Sequence, residues 1–162
     1  MKKIILCLLS SFFVCSLCGQ TAISINKAKE QGITFDSLDS IYTRATSDGT
    51  KSYVFENSEE VSNAWYKMIS DVSSFLVKNK EILNLNISIF QRVYFNKDGK
   101  IDYYLFNIRN LDELTEEEVQ LFTDLLNEFV KDYQFPLSAD KGFSQCGNVN
   151  FQFKDPQNID SE

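Results

Sequence analysis

Histidine is absent from this chain, and that absence closes more routes than any residue present opens. Without an imidazole there is no Ser-His-Asp or Cys-His nucleophile. Nearly every zinc site goes too, since those draw on His or on several Cys. Cysteine is scarce. Cys7, Cys15 and Cys18 crowd into the first nineteen residues and leave Cys146 alone in the remainder. One cysteine closes no internal bridge, so Cys146 reads first as a small buried hydrophobe and otherwise as an exposed thiol able to pair between molecules. Six glycines and two prolines form no phosphate-cradling loop and no low-complexity segment, and no internal repeat is present. Positive charge is short as well. The net charge is −7, with Lys and Arg scattered among Asp and Glu. Nucleic-acid binding, which needs clustered cations to displace counterions, is excluded on that ground. The acidic surface serves mainly to keep the molecule soluble.

The sequence also lacks an apolar run long enough to cross a bilayer, which takes about 20 residues. Its longest run, Ile4 to Leu17, is interrupted by Ser10, Ser11 and Ser16 and comes after Lys2 and Lys3. Small residues and Gln20 come next. This is the layout of a secretory signal cleaved near Gly19. The expectation is an exported, bacterial, periplasmic or secreted protein with no membrane span in its mature form. About 140 residues remain, the size of one domain, able to bury roughly two-thirds of its unfolded surface without disulfides. A lipid anchor at Cys15 or Cys18 fits poorly, because Val14 and Leu17 stand where a small residue belongs.

The residues present form an ordered series of amphipathic elements. Residues 20–50 keep neither period clearly and read as an irregular N-terminal segment. Ser47-Asp48-Gly49 is a turn signal, and Lys51 to Phe55 reads as a short strand. A helix begins at Asn57, an N-cap, with Glu59 and Glu60 in the positive first turn. Val61, Trp65, Met68, Val72, Phe75 and Leu76 form its apolar stripe. The strongest hairpin signal is next: Ile87 to Phe95 and Ile101 to Ile108, joined by Asn96-Lys97-Asp98-Gly99 with a positive φ at the glycine. A type I turn and bulge would set Phe95 opposite Ile101 and Val93 opposite Tyr103. One face then carries Ile87, Ile89, Val93, Phe95, Ile101, Tyr103 and Leu105. The other carries Phe90, Tyr94, Tyr104, Phe106 and Ile108 beside Ser88 and Arg92. Neither is a water face, so the second needs a cover: the 20–45 segment, a second subunit or a ligand.

A second helix opens with a capping box, Thr115 to Glu118, and a staple from Leu114 to Val119. Val119, Phe122, Leu125, Leu126, Phe129, Val130 and Tyr133 make its buried stripe, and Pro136 ends it. After a loop from Leu137 to Gly147, a last strand alternates Val149, Phe151 and Phe153 with polar residues. The order is β-α-β-β-α-β over residues 51–154, a two-layer α+β domain with a mainly antiparallel sheet and two amphipathic helices. The tail, residues 155–162, is polar.

Val93-Tyr94-Phe95-Asn96-Lys97-Asp98-Gly99-Lys100-Ile101, the helix to Tyr133, Phe135-Pro136, Lys141-Gly142 and Val149-Asn150-Phe151 together resemble the C-terminal domain of TonB-type energy transducers across residues 86–154. The resemblance implies a fold and a habit of pairing a strand edge with a partner. The sequence departs from that family in lacking a proline-rich linker, an uncleaved anchor and the tyrosine-proline element before the first long strand. The energy-transducing role is not implied. Asp36-Ser37-Leu38 and Asp39-Ser40-Ile41 resemble O-glycan acceptor sites of exported bacterial proteins, and otherwise are turn and helix-cap serines.

Catalytic material is thin. Cys146 has no histidine beside it. Glu116, Glu117 and Glu118 suit a helix's first turn. Lys97, Asp98 and Gly99 form a turn and lack the oxygen ligands of a calcium loop. Asp102, Asp112 and Asp124 have no assignable partner for a glycosidase pair. No catalytic, cofactor-binding or metal-binding residue is assigned, and no cofactor is expected. Phe, Tyr and Trp make up 14% of the sequence, more than two helix stripes absorb. The surplus points to an interaction surface at Phe90, Tyr94, Tyr104, Phe106 and Ile108. The expectation is therefore an exported, non-catalytic binding domain, for a protein partner or a second copy. The alternatives are a small envelope enzyme acting on carbohydrate through carboxylates, and a carrier of an apolar ligand.

Overall fold

A computed structural model describes residues 20–47, 49 and 52–153. The expected signal and the polar tail lie outside the described residues. The elements run β1 (Thr21–Ser24), α1 (Ile25–Glu30), α2 (Phe35–Asp39), β2 (Thr43–Arg44), α3 (Ser58–Leu76), β3 (Asn86–Phe95), β4 (Ile101–Ile108), α4 (Glu116–Asp132) and β5 (Phe143–Gln152). Single 3-10 turns sit at Lys80–Ile82 and Leu111–Glu113. The strands form one sheet in the order β1-β4-β3-β5-β2. The three long strands pair antiparallel, and the short edge strands β1 and β2 run parallel to β4 and β5. The fold is α+β, with two long helices against a mostly antiparallel sheet.

Local chemistry accounts for the main elements. The Asn57 side chain accepts from the Glu60 amide and starts α3. Thr115 and Glu118 close a reciprocal capping box that starts α4. At the hairpin tip the Asn96 carboxamide accepts from the Asp98 and Lys100 amides at 2.9 and 3.1 Å. Gly99 sits at φ +83, and a Cβ there would lie 2.7 Å from the Phe135 carbonyl oxygen. Glycine is required for both reasons.

The hairpin register departs from expectation one residue past the turn. Phe95 does face Ile101, but Tyr94 pairs with Tyr103 and Val93 with Tyr104. Asp102 is the extra residue of a β-bulge. Because side chains alternate, one inserted residue sends every later side chain of β4 to the opposite face. Tyr104, Phe106 and Ile108 therefore join Ile87, Ile89, Val93 and Phe95 in the main core, under α3 and α4. Tyr103 and Leu105 turn to the second face, with Tyr94.

Residues 20–50 are also more regular than the pattern suggested. They build β1, two short helices and β2, and α1 and α2 pack Ala28 and Leu38 onto Tyr94 and Leu105. The strand expected at Lys51 to Phe55 is reduced to a bridge from Tyr53 to Arg44, with Lys51 outside the described residues. Val54 and Phe55 donate to the Arg44 and Ala45 carbonyls. The last strand starts at Phe143, inside the stretch expected to be loop. Phe143 is drawn into an aromatic cluster with Phe95 and Phe135, at centroid distances of 5.0 and 5.8 Å. That cluster, with Phe106, Phe122 and Phe151, absorbs much of the aromatic surplus.

Candidate functional site

The five residues expected to form one interaction surface do not share a face. Tyr104, Phe106 and Ile108 are buried under the long helices, 0%, 1% and 8% exposed. Tyr94 lies on the second face but is fully buried by α1, α2 and Tyr42, whose ring meets it edge-on at 5.2 Å. The cover is the protein's own 20–45 segment. Only Phe90 keeps part of its surface in solvent, flanked in register by Asn107 on β4 and Asn148 on β5.

A polar network clips the short helices down. The Arg92 guanidinium meets the Asp39 carboxylate at 2.6 Å and stacks over the rings of Phe35 and Tyr94. The Tyr94 hydroxyl donates to Asp39 at 3.2 Å, and the Tyr42 hydroxyl donates to Asp102 at 2.7 Å. Burial holds the Tyr94 pKa far above the ordinary tyrosine value, opposed by Arg92 and reinforced by Asp39, so this hydroxyl stays a donor. Burial also raises the Asp102 pKa, against the opposing hydrogen bond from Tyr42. Asp39 and Asp102 are thus already engaged by hydroxyl and guanidinium donors from the same molecule.

The other acidic candidates are dispersed. Glu118 belongs to the cap of α4, and Asp124 accepts from Gln120. Glu116, Glu117 and Asp112 are exposed. Among the described residues no three His, Cys, Asp or Glu side chains gather to hold a metal ion. Ser37 and Ser40 are exposed, and both hydroxyls donate locally, to the Thr34 and Ser37 carbonyls. Cys146 is exposed, against the preferred reading of a buried thiol. It pairs with Arg92 in the ladder and so lies on the second face, beyond the cover of α1 and α2.

The two sheet edges differ. At β1 the outward amide and carbonyl of Ala22 are both taken by the Asn127 carboxamide, each at 2.8 Å. Asn110 does the same where β4 ends, accepting from the Ser88 amide and donating to the Asn86 carbonyl at 2.9 Å each. At the other edge, β2 covers only the start of β5. Thr43 and Ala45 donate to the Gly142 and Ser144 carbonyls. By ladder alternation the backbone groups of Cys146, Asn148, Asn150 and Gln152 point the same way. Among the described residues nothing meets them. No charged residue and no proline occurs in Phe143–Gln152.

Where β2 stops, a hollow of ≈ 210 Å³ opens, lined by Arg44, Thr46, Ser47, Arg92, Ser144 and Cys146. A larger groove of ≈ 550 Å³ lies between β1, the end of β4 and the start of α4, with Ala22, Phe106, Leu114 and Val119 in its wall. Sequence reading missed Asn110, Asn127 and the gathering of Arg44 and Arg92 around one hollow. The only available signal was a carboxamide on the buried side of α4, among apolar stripe positions.

Compared with family models, curated proteins and solved structures, the sequence finds no match. No helix among the described residues is long and apolar enough to cross a membrane.

Proposed function

We propose that this is an exported, non-catalytic binding domain that docks an extended segment of a partner protein along the outer edge of β5. The supporting observation is the free edge from Cys146 to Gln152. An unpaired row of strand amides and carbonyls is a ready template for another strand, and sheets that avoid such pairing carry lysine, proline or a bulge there. None of these devices occurs in β5. The likeness of residues 86–154 to TonB-type domains favours the same reading. A second copy of this protein is the other occupant the edge would accept.

The test is site-specific photocrosslinking in the exporting host, with the photoreactive residue at Asn148 and, as a control, at Ser62 on the outer side of α3. The expected result is a discrete adduct at Asn148, absent at Ser62 and lost when Asn150→Pro is added. Failure to obtain any adduct specific to the edge would overturn the proposal. The ≈ 550 Å³ groove favours a second reading, an apolar-ligand carrier. Native mass spectrometry of the protein from its host separates the two, since a carrier retains a small-molecule mass.

A further inference from the structure

We infer that the segment taken up by β5 is the extreme C-terminus of a polypeptide, whose free carboxylate is held between Arg44 and Arg92. This deepens the edge-docking proposal and rests on it. The free edge has one closed end. At Ser144 the Ala45 amide takes the outward carbonyl at 2.8 Å. The backbone then leaves through Thr46 and Ser47, which form one wall of the ≈ 210 Å³ hollow. A strand added along β5 meets this wall beyond Cys146 and cannot continue in the sheet. It must end or turn outward there.

The chemistry at the closed end suits an ending. Two arginines, Arg44 and Arg92, are among the residues that line the hollow, on a protein whose net charge is −7. One Arg92 nitrogen lies 2.6 Å from the Asp39 carboxylate. Guanidinium groups bind carboxylates by paired, charge-assisted hydrogen bonds. Hydroxyl groups add to the set. Ser47 already accepts from the Gly49 amide, which leaves its O–H to donate, and Ser144 and Thr46 line the same space. An internal segment would bring no backbone charge to this point. A terminal carboxylate supplies one at the place where the strand has to stop.

The direction of the guest is then fixed. Its C-terminus lies at the Cys146 end, so it runs antiparallel to β5, from Gln152 towards Cys146. The stretch accommodates about six residues of extended peptide. Alternate guest side chains face the half of the second sheet face that α1 and α2 leave open, where Phe90 lies between Asn107 and Asn148.

The experiment selects binders from a library of short random peptides displayed with free C-termini. Enriched sequences are then synthesised as acids and as amides and titrated by fluorescence anisotropy. Binding of the acid, weakened about tenfold or more in the amide, supports the inference, this being the scale of one or two charge-assisted hydrogen bonds. The same difference should vanish in Arg44→Gln, persist in Arg44→Lys and become undetectable as all binding is lost in Asn148→Pro. Far-ultraviolet circular dichroism verifies that each variant is folded. Binding that depends on Asn148 but is equal for acid and amide overturns carboxylate capture and leaves edge docking standing. Binding that is indifferent to Asn148→Pro, or no enrichment at all, overturns both.

Discussion

At one edge of the sheet a single carboxamide, that of Asn127, takes both outward backbone groups of Ala22 at 2.8 Å. At the other, the outward groups of Cys146, Asn148, Asn150 and Gln152 meet nothing among the described residues, along a strand without a charge or a proline. The two edges belong to one sheet, yet among the described residues a side chain takes the outward groups only at Ala22. A side chain reaching across from a packed helix suffices to finish an edge, as Asn127 does, and Asn110 closes the end of β3 in the same way. Among the described residues, the bare edge of β5 therefore stands out as a place where the sheet is left incomplete. The faces repeat the contrast: one is buried along its length by α3 and α4, and the other only in the half that α1 and α2 reach.

The largest effect separates the two faces. Phe106→Ala should cost about 3–5 kcal/mol, because it opens a cavity beside Phe122 in the closed core. Phe90→Ala, on the open half, should cost less than about 1 kcal/mol. Urea denaturation measures both, and equal costs would erase the contrast between faces. Next comes a matched pair on β5. Val149 directs its N–H to β3 and Asn148 directs its own outward, so Val149→Pro removes a ladder bond that Asn148→Pro spares. The first should lose about 2 kcal/mol more than the second in the same denaturation experiment. If Asn148→Pro proves the more damaging, the edge is not free.

Asn127→Ala tests the finished edge. It strands the outward groups of Ala22 and should cost about 1–2 kcal/mol, with faster hydrogen exchange at the Ala22 amide. Unchanged exchange there would mean that the carboxamide does not seal the edge. The smallest effect concerns pH at the clip between the turn after α2 and the β4 bulge. The folded-state pKa of Asp102 is raised above its ordinary 3.8. Its contribution to stability is therefore fully present below that value and is lost as pH rises through the folded pKa. Asp102→Asn removes this dependence while keeping an acceptor for Tyr42. Its Tm relative to the parent should be higher at pH 7 than at pH 3, and a difference constant with pH would refute the assignment.

Much of the fold was legible because its signals are local. Asn57, Thr115 and Glu118 announce helix starts through bonds made within one turn, and Asp98-Gly99 announces a hairpin through backbone sterics alone. The apolar stripes of α3 and α4 arise from helical periodicity. The candidate surface was misread at one point, the Asp102 bulge. Both alternating sets of β4 are apolar, so the pattern carried no information about which set faced the helices, and an inserted residue exchanged them. Residues 20–50 were unreadable for a related reason. Helices of five and six residues and strands of two and four are too short to show a period, and they exist because β4, β5 and Tyr94 offer them surfaces.

By itself the amino-acid sequence determined the long helices, the central hairpin, the α+β class and the absence of imidazole chemistry. All of these depend on residue type or on contacts a few positions apart. Tertiary structure alone decided which hairpin face is core, which edge is sealed and which arginines share a hollow. Those outcomes join residues as distant as Ala22 and Asn127, or Arg44 and Arg92. No local free-energy preference links such pairs until the sheet has brought them together.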